Sequence, residues 1–315
     1  MVGKGELKIL KEFMDIPDYQ TWEKIEVINK GWSTDKKFYV ETVSGEKYLL
    51  RVSEKDTYNS KLLEYQQMCR LTREGLPIST PIGFGKCSND ELVYGLFLWT
   101  DGEAMDEVIQ DISAEEQYNL GIEAGKILKK FHRITITNNG EDIRKKWEKK
   151  YHKWLKRYND GKIKFPKDLK AMKYIEENIE ILDILDSSLL HFLHGDFHLG
   201  NMVLNSEGHI TIIDFNRWDY GNIYEDFIKN FWFSRELSYS FSKGQIQGYF
   251  SDKVPDTFFK IILLFLAREF FIAIPWAEKL GHKQIEGMQK RINMITEDFS
   301  DFNEEIPVWW KENNK

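Results

Sequence analysis

His194-Gly195-Asp196-Phe197-His198-Leu199-Gly200-Asn201 runs into Met202-Val203-Leu204-Asn205 and, past Ser206-Glu207-Gly208, returns as Ile210-Thr211-Ile212-Ile213-Asp214-Phe215. Two short apolar runs around a glycine-bearing turn read as a β-hairpin, and the segment before them as an irregular loop. A hairpin brings its ends together, so Asp214 is expected close to Asn201, with Asp196 on the same loop. Two carboxylates and an amide oxygen suit Mg2+, a hard cation that takes oxygen ligands together with substrate phosphates. One carboxylate is then left to accept or orient a hydroxyl proton. A second reading puts His194, Asp196 and His198 on a transition metal, since imidazole and carboxylate are its ligands. It leaves Asn201 and Asp214 without a role. His194 is expected to orient the loop through backbone hydrogen bonds.

Upstream, residues 22–100 are strand-like, with runs rich in Val, Ile, Tyr and Phe at 25–28, 38–42, 47–52 and 92–99. One helical pattern, at 59–74, interrupts them. From Ser113 onward the chain reads mostly as helices, opening on a capping box at Ser113-Ala114-Glu115-Glu116. A helix over 142–160 carries a basic face read as solvated, and residues 1–15 read as a short amphipathic helix. The fold class is α+β: a small β-rich N-terminal lobe followed by a larger helical one.

Composition narrows the function. The chain has 315 residues, a net charge of −7, and 42% hydrophobic and 14% aromatic residues. A core is available, and the charge argues against nucleic acid as a partner, because backbone binding needs clustered excess lysine and arginine. Two cysteines make no disulfide framework, and with no signal peptide they point to a reducing cytoplasm. The most apolar run, 258–276, is broken by Lys260, Arg268 and Glu269. Its uncharged length falls far short of the roughly 20 residues of a membrane span, and it reads as a buried core helix.

The 194–215 segment resembles the catalytic loop and metal-binding turn of the aminoglycoside phosphotransferase family, which shares the protein-kinase fold. Kinases carry H-R-D-x-x-x-x-N and then D-F-G; here the sequence is H-G-D-x-x-x-x-N and then D-F-N. The resemblance implies a two-lobed fold: a nucleotide-binding lobe over 1–100, a hinge at about 96–102, and a helical lobe over 103–315 holding the catalytic loop and substrate site. It implies Asp196 as catalytic base, and Asn201 and Asp214 as ligands of Mg2+ on the phosphates of ATP or GTP. In the nucleotide lobe, Gly31, Ser33 and Thr34 form the candidate phosphate turn. Arg51 stands where kinases place a lysine, with Lys47 as fallback cation and Glu64 as the partner that positions it. Leu98 C=O and Thr100 N–H are the expected adenine contacts. Asp226, in a Gly-Asn-x-x-x-Asp run, is expected to accept hydrogen bonds from the catalytic loop.

The reaction implied is in-line transfer of a γ-phosphoryl group to a hydroxyl of a small molecule. A cationic, aminoglycoside-type acceptor is expected, with Asp219, Glu225, Glu236 and Glu269 as candidate contacts and the acidic 297–305 segment as another. A metabolite kinase acting on choline, a macrolide, homoserine or another small alcohol is the alternative, and a catalytically silent nucleotide-binding module a further one.

Overall fold

Alternating β-branched and aromatic residues build the first sheet. In the computed structural model, which describes residues 13–29, 35–140, 142–251 and 253–311, it comprises β1 (Trp22–Ile28), β2 (Lys36–Thr42), β3 (Lys47–Glu54), β4 (Pro81–Cys87) and β5 (Leu92–Leu98), in the order β1-β2-β3-β5-β4. Neighbours are antiparallel, and the register sets Lys37 opposite Arg51 and Tyr48 opposite Leu98. Phe38, Val40, Leu50 and Val52 face one core, closed by Phe13 and Ile16. Asp15 caps the 88–90 turn, accepting the amides of Ser88 and Asn89 at 3.0 Å each. The expected 1–15 helix lies outside the described residues, apart from residues 13–15. Helix α1 (Tyr58–Arg73) lays Tyr65 against Phe84 and Phe97, at centroid distances of 5.4 and 6.3 Å. Glycines interrupt strand β4 and mask it as an apolar run: Gly83 and Gly85 lie under the ring of Tyr94, and a Cβ on Gly85 would come within 3.0 Å of that ring.

The residues group into two units, Met1–Glu103 with Val203–Asn216, and Ala104–Met202 with Arg217–Lys315. The first unit thus reclaims a late piece of chain. Ile212 donates its N–H to Pro77 O at 2.8 Å and its carbonyl accepts Ser79 N–H at 3.3 Å, so the strand leading to Asp214 is tied to the segment before β4.

In the second unit, α2 (Ala114–His132) opens with the expected capping box between Ser113 and Glu116. Next come α3 (Ile143–Asp160), α4 (Asp168–Asn178), α5 (Tyr224–Lys229), α6 (Tyr239–Phe250), α7 (Phe258–Glu278) and α8 (His282–Asp298). Buried on nearly every side, α7 forms the core, with Phe258, Phe265, Phe270 and Phe271 all at or below 1% exposure. Among the described residues no helix is long and apolar enough to cross a membrane. Helices α2 and α6 meet backbone to backbone. A Cβ on Gly125 would lie 2.1 Å from Gln245 O, and one on Gly248 would lie 2.1 Å from Ile122 O.

That contact predicts opposite signs for two glycine-to-alanine changes. Gly125→Ala forces the helices apart and is expected to cost about 2–3 kcal/mol. Gly287→Ala, inside α8, meets nothing closer than Arg291 Nη1 at 3.5 Å and is expected to stabilise by about 0.5–1 kcal/mol. Urea unfolding of the two variants checks both.

Candidate active site

The 194–201 loop is held from beneath by one carboxylate. Asp226, on α5, accepts the N–H of His194 at 2.8 Å and that of Gly195 at 2.6 Å. His132, at the end of α2, reaches the same carboxylate at 3.1 Å through Nε2, and its Nδ1 meets Tyr249 OH at 2.9 Å. A carboxylate only accepts, so Nε2 carries the proton; burial lowers the pKa of His132 and keeps the ring neutral. Gly195 has φ of 77°, and a Cβ there would sit 2.1 Å from Arg217 O, so the arginine that kinases carry after this histidine has no room here.

Within the loop, Asp196 N–H donates to His194 Nδ1 at 3.2 Å and Gly200 N–H to His198 Nδ1 at 3.1 Å. Both imidazoles therefore spend a nitrogen on backbone, and among the described residues no group of His, Cys, Asp and Glu is arranged to hold a metal by itself. Asn201 donates Nδ2 to Asp196 O at 2.9 Å, which leaves its Oδ1 as an oxygen ligand to offer. The Asp196 carboxylate is one-fifth exposed, with His198 Nε2 and Arg217 Nε at 3.8 Å and Lys229 Nζ at 3.9 Å. Burial pushes its pKa up, but the His198 ring, Lys229 and Arg217 outweigh that and hold it well below the usual carboxylate range.

Lys229 and Phe233 come from a place the sequence pattern conceals. Residues Asn230–Ser234 form a π-turn directly after α5, a widening often found at functional sites. It sets Phe233 against His198, tilted at a centroid distance of 4.8 Å, and Lys229 Nζ lies 5.5 Å from the Phe233 ring. Ser234 Oγ accepts the N–H of Leu199 at 3.2 Å.

In the first unit, Arg51 is buried and its fork is spent on two carboxylates, Glu64 at 2.7 Å and Asp35 at 2.7 Å. Lys61 Nζ and Ser53 Oγ also bind Asp35, at 2.6 and 2.9 Å. Glu64 is thus the partner of Arg51, and Asp35 is a second one that the sequence pattern did not indicate. Lys47 lies in an exposed pair with Asp101 at 3.3 Å. Lys37, opposite Arg51, is the better-placed cation, with Nζ 3.8 Å from Asp214 Oδ2. Asp214 adopts a left-handed φ of 65°, and its buried Oδ1 has no hydrogen-bond partner among the described residues. An orphaned buried carboxylate oxygen fits a hard cation. Leu98 O accepts Ser79 Oγ at 3.1 Å, while Thr100 N–H is bonded to no described residue. Gly31, Ser33 and Thr34 lie outside the described residues.

The four candidate acceptor contacts separate. Glu225 and Glu269 converge on Arg268 and Lys150. Glu236 is elsewhere, bound by Lys290 at 3.0 Å and Arg291 at 2.8 Å. Asp219 is exposed and caps its neighbour's amide, Tyr220 N–H, at 2.8 Å.

A five-stranded antiparallel sheet bearing a helix, joined to a helical unit with an H-x-D-x-x-x-x-N loop, defines a phosphotransferase of kinase-like fold. Residues 24–258 match the phosphotransferase enzyme family (APH), and the chain belongs to that family. It is similar to the solved gentamicin complex of APH(2")-IIa, with a TM-score of 0.65 and 15% identity over 96% of this chain and 99% of that one. ADP-bound APH(2'')-Ib gives a TM-score of 0.61 and 16% identity over 87% and 94%. Amicoumacin kinase hAmiN, in complex with AMP-PNP, Ca2+ and Ami, gives 0.60 and 14% over 96% and 93%. At such identities the likeness is one of fold. No curated protein matches the sequence.

The Arg51 cluster makes a pH prediction. Burial alone would raise Asp35, yet Arg51 and Lys61 carry its pKa from 3.8 down to about 2. A depressed carboxylate adds stability that is complete above the unfolded value and is lost as pH falls through the folded one. Wild type should therefore lose about 2 kcal/mol between roughly pH 4 and pH 2 from this group. Asp35→Asn should be less stable at pH 7 and converge toward wild type near pH 2, as read by urea unfolding across that range.

Proposed function

We propose that this protein transfers the γ-phosphoryl group of ATP or GTP to a hydroxyl of a small molecule, with Asp196 orienting that hydroxyl. What carries the reading is the state of Asp196: a partly buried carboxylate on a loop fixed by Asp226, ringed by cations and depressed in pKa. A carboxylate so weakly basic accepts a hydrogen bond well and holds a proton poorly. It aims the acceptor oxygen first, and the proton leaves as the new bond forms. The acceptor oxygen bonds to phosphorus, the bond to the β,γ-bridging oxygen breaks, and the hydroxyl proton passes to Asp196 and then to solvent.

Asn201 and Asp214 are the residues with oxygen to offer a divalent cation, Mg2+ by the chemistry of the donors. Bound there, it would neutralise phosphate charge. Lys37 and Arg51 are the cations of the nucleotide side. Arg51, already bidentate between Glu64 and Asp35, acts by holding the strand and helix in register, and Lys37 is left to meet phosphate oxygens. The aminoglycoside expectation rests on carboxylates facing the acceptor's amines, and Glu225, Glu236 and Glu269 are each engaged by lysine or arginine.

Nucleotide consumption over an acceptor panel tests the proposal. Asp196→Asn is expected to lower kcat by roughly a hundredfold or more while nucleotide binding and melting temperature stay near wild type, and chelation of divalent cations should abolish turnover. Near-normal kcat in Asp196→Asn would remove the assignment. Nucleotide binding without turnover on any acceptor would favour a silent binding module.

A further inference from the structure

Beside Asp196 the second unit assembles basic side chains whose hydrogen-bonding capacity is unspent. Among the described residues Lys229, Arg217 and Lys150 donate no side-chain hydrogen bond. Lys229 and Arg217 stop at 3.9 and 3.8 Å from Asp196, and Lys150 at 3.9 and 3.6 Å from Glu225 and Glu269. By contrast, Lys61 closes onto Asp35 at 2.6 Å. The carboxylates nearby are meanwhile occupied. Glu269 takes Arg268 at 3.0 Å, and Glu225 lies between Arg268 and Lys150. Arg268 is 2% exposed and lies over Trp147 and Phe265 at 5.1 Å each, so it stays as their counter-ion. Lys229, Arg217, Lys150 and Arg268 stand against Asp196, Glu225 and Glu269, Asp226 being spent on the loop amides and His132, so an amine-bearing acceptor would meet ammonium and guanidinium groups beside each of these three carboxylates.

We infer that the acceptor carries an anionic group, a carboxylate or a phosphate ester, near the hydroxyl that is phosphorylated, and that Lys229, Arg217 and Lys150 receive it. This rests on the reading of Asp196 as the hydroxyl-orienting group. Lys229 is only one-fifth exposed, and a largely buried ammonium without a hydrogen-bonded partner is costly, a cost that a ligand anion offsets; Arg217 and Lys150, about half exposed, flank it. Desolvation acts on Lys229 in the same direction, lowering its pKa against the fields of Asp196 and Glu269. Of the five acids in the 297–305 segment, four are already paired. Asp298 pairs with Arg235, Asp301 with Lys167, Glu304 with Lys311 at 2.7 Å and Glu305 with Lys260 at 2.9 Å.

Turnover and binding of three probe groups, with the full chain and a magnesium nucleotide, test this. Glucuronate and glycerol 3-phosphate represent the two anions, kanamycin a polyamine sugar, and glycerol a neutral alcohol. The expected result is turnover, or saturable binding by calorimetry with the AMP-PNP complex, for at least one anionic probe, and which one separates carboxylate from phosphate recognition. Lys150→Glu should raise that probe's KM or Kd at least tenfold with nucleotide KM unchanged, and Lys150→Arg should restore most of it. Turnover confined to kanamycin or glycerol, binding of neither anionic probe, or a Lys150→Glu effect on nucleotide KM alone would overturn the inference. Turnover on kanamycin or glycerol would leave the kinase reading standing, whereas an Asp196→Asn variant that keeps its activity on whichever probe is turned over would remove it.

Discussion

Asp226 is fully buried, and its carboxylate is where the 194–201 loop is tied down. Two successive backbone amides and a neutral imidazole converge on it, so its charge is met by donors from the loop and from the end of α2. A buried carboxylate with this coordination cannot rotate or shift without stranding a charge. The loop geometry follows from that restriction. Gly195 bends under Arg217 O, Asp196 N–H locks onto His194, and Asn201 folds back on Asp196 O. Because α2 also packs against α6 through its glycines, His132 is delivered from a helix that has little freedom to slide.

Charge is organised differently in the two units. In the first, Arg51 is fully committed to Glu64 and Asp35, a closed buried network with Lys61 and Ser53 at its rim. In the second, the cations around Asp196 stand off their carboxylates. Closed networks give rigidity and specificity of packing. Open ones retain charge for something that arrives. Arg51 is closed in on its carboxylates, whereas Lys229, Lys150 and Arg217 keep donors unspent.

Much of this was legible in sequence because it is local. The 194–201 loop, the hairpin turn, the Ser113 cap and the strands at 38–42 and 47–52 announce themselves by spacing over a few residues. Asp226 was reachable through the family's aspartate run. What stayed hidden depends on long-range assembly. Lys150 belongs to a basic helix face that reads as solvated, and only folding brings it to Glu225 and Glu269. Lys229 and Phe233 are aimed by a π-turn that no simple period marks, and Asp35 joins Arg51 across a strand pair. The sign of Glu225, Glu236 and Glu269 suits an amine, but sign does not show that lysines and arginines already sit on them.

The bonding of Ile212 to Pro77 and Ser79 has a consequence for biogenesis. The five-stranded sheet is synthesised before α2, α3 and α4, and the Ile210–Ile212 strand that leads to Asp214 only after them. Until it emerges, Pro77 O and Ser79 N–H, in the segment before β4, lack their backbone partners. Two backbone hydrogen bonds of the segment that enters β4 therefore form only after three helices of the second unit have been made, a long-range closure late in folding.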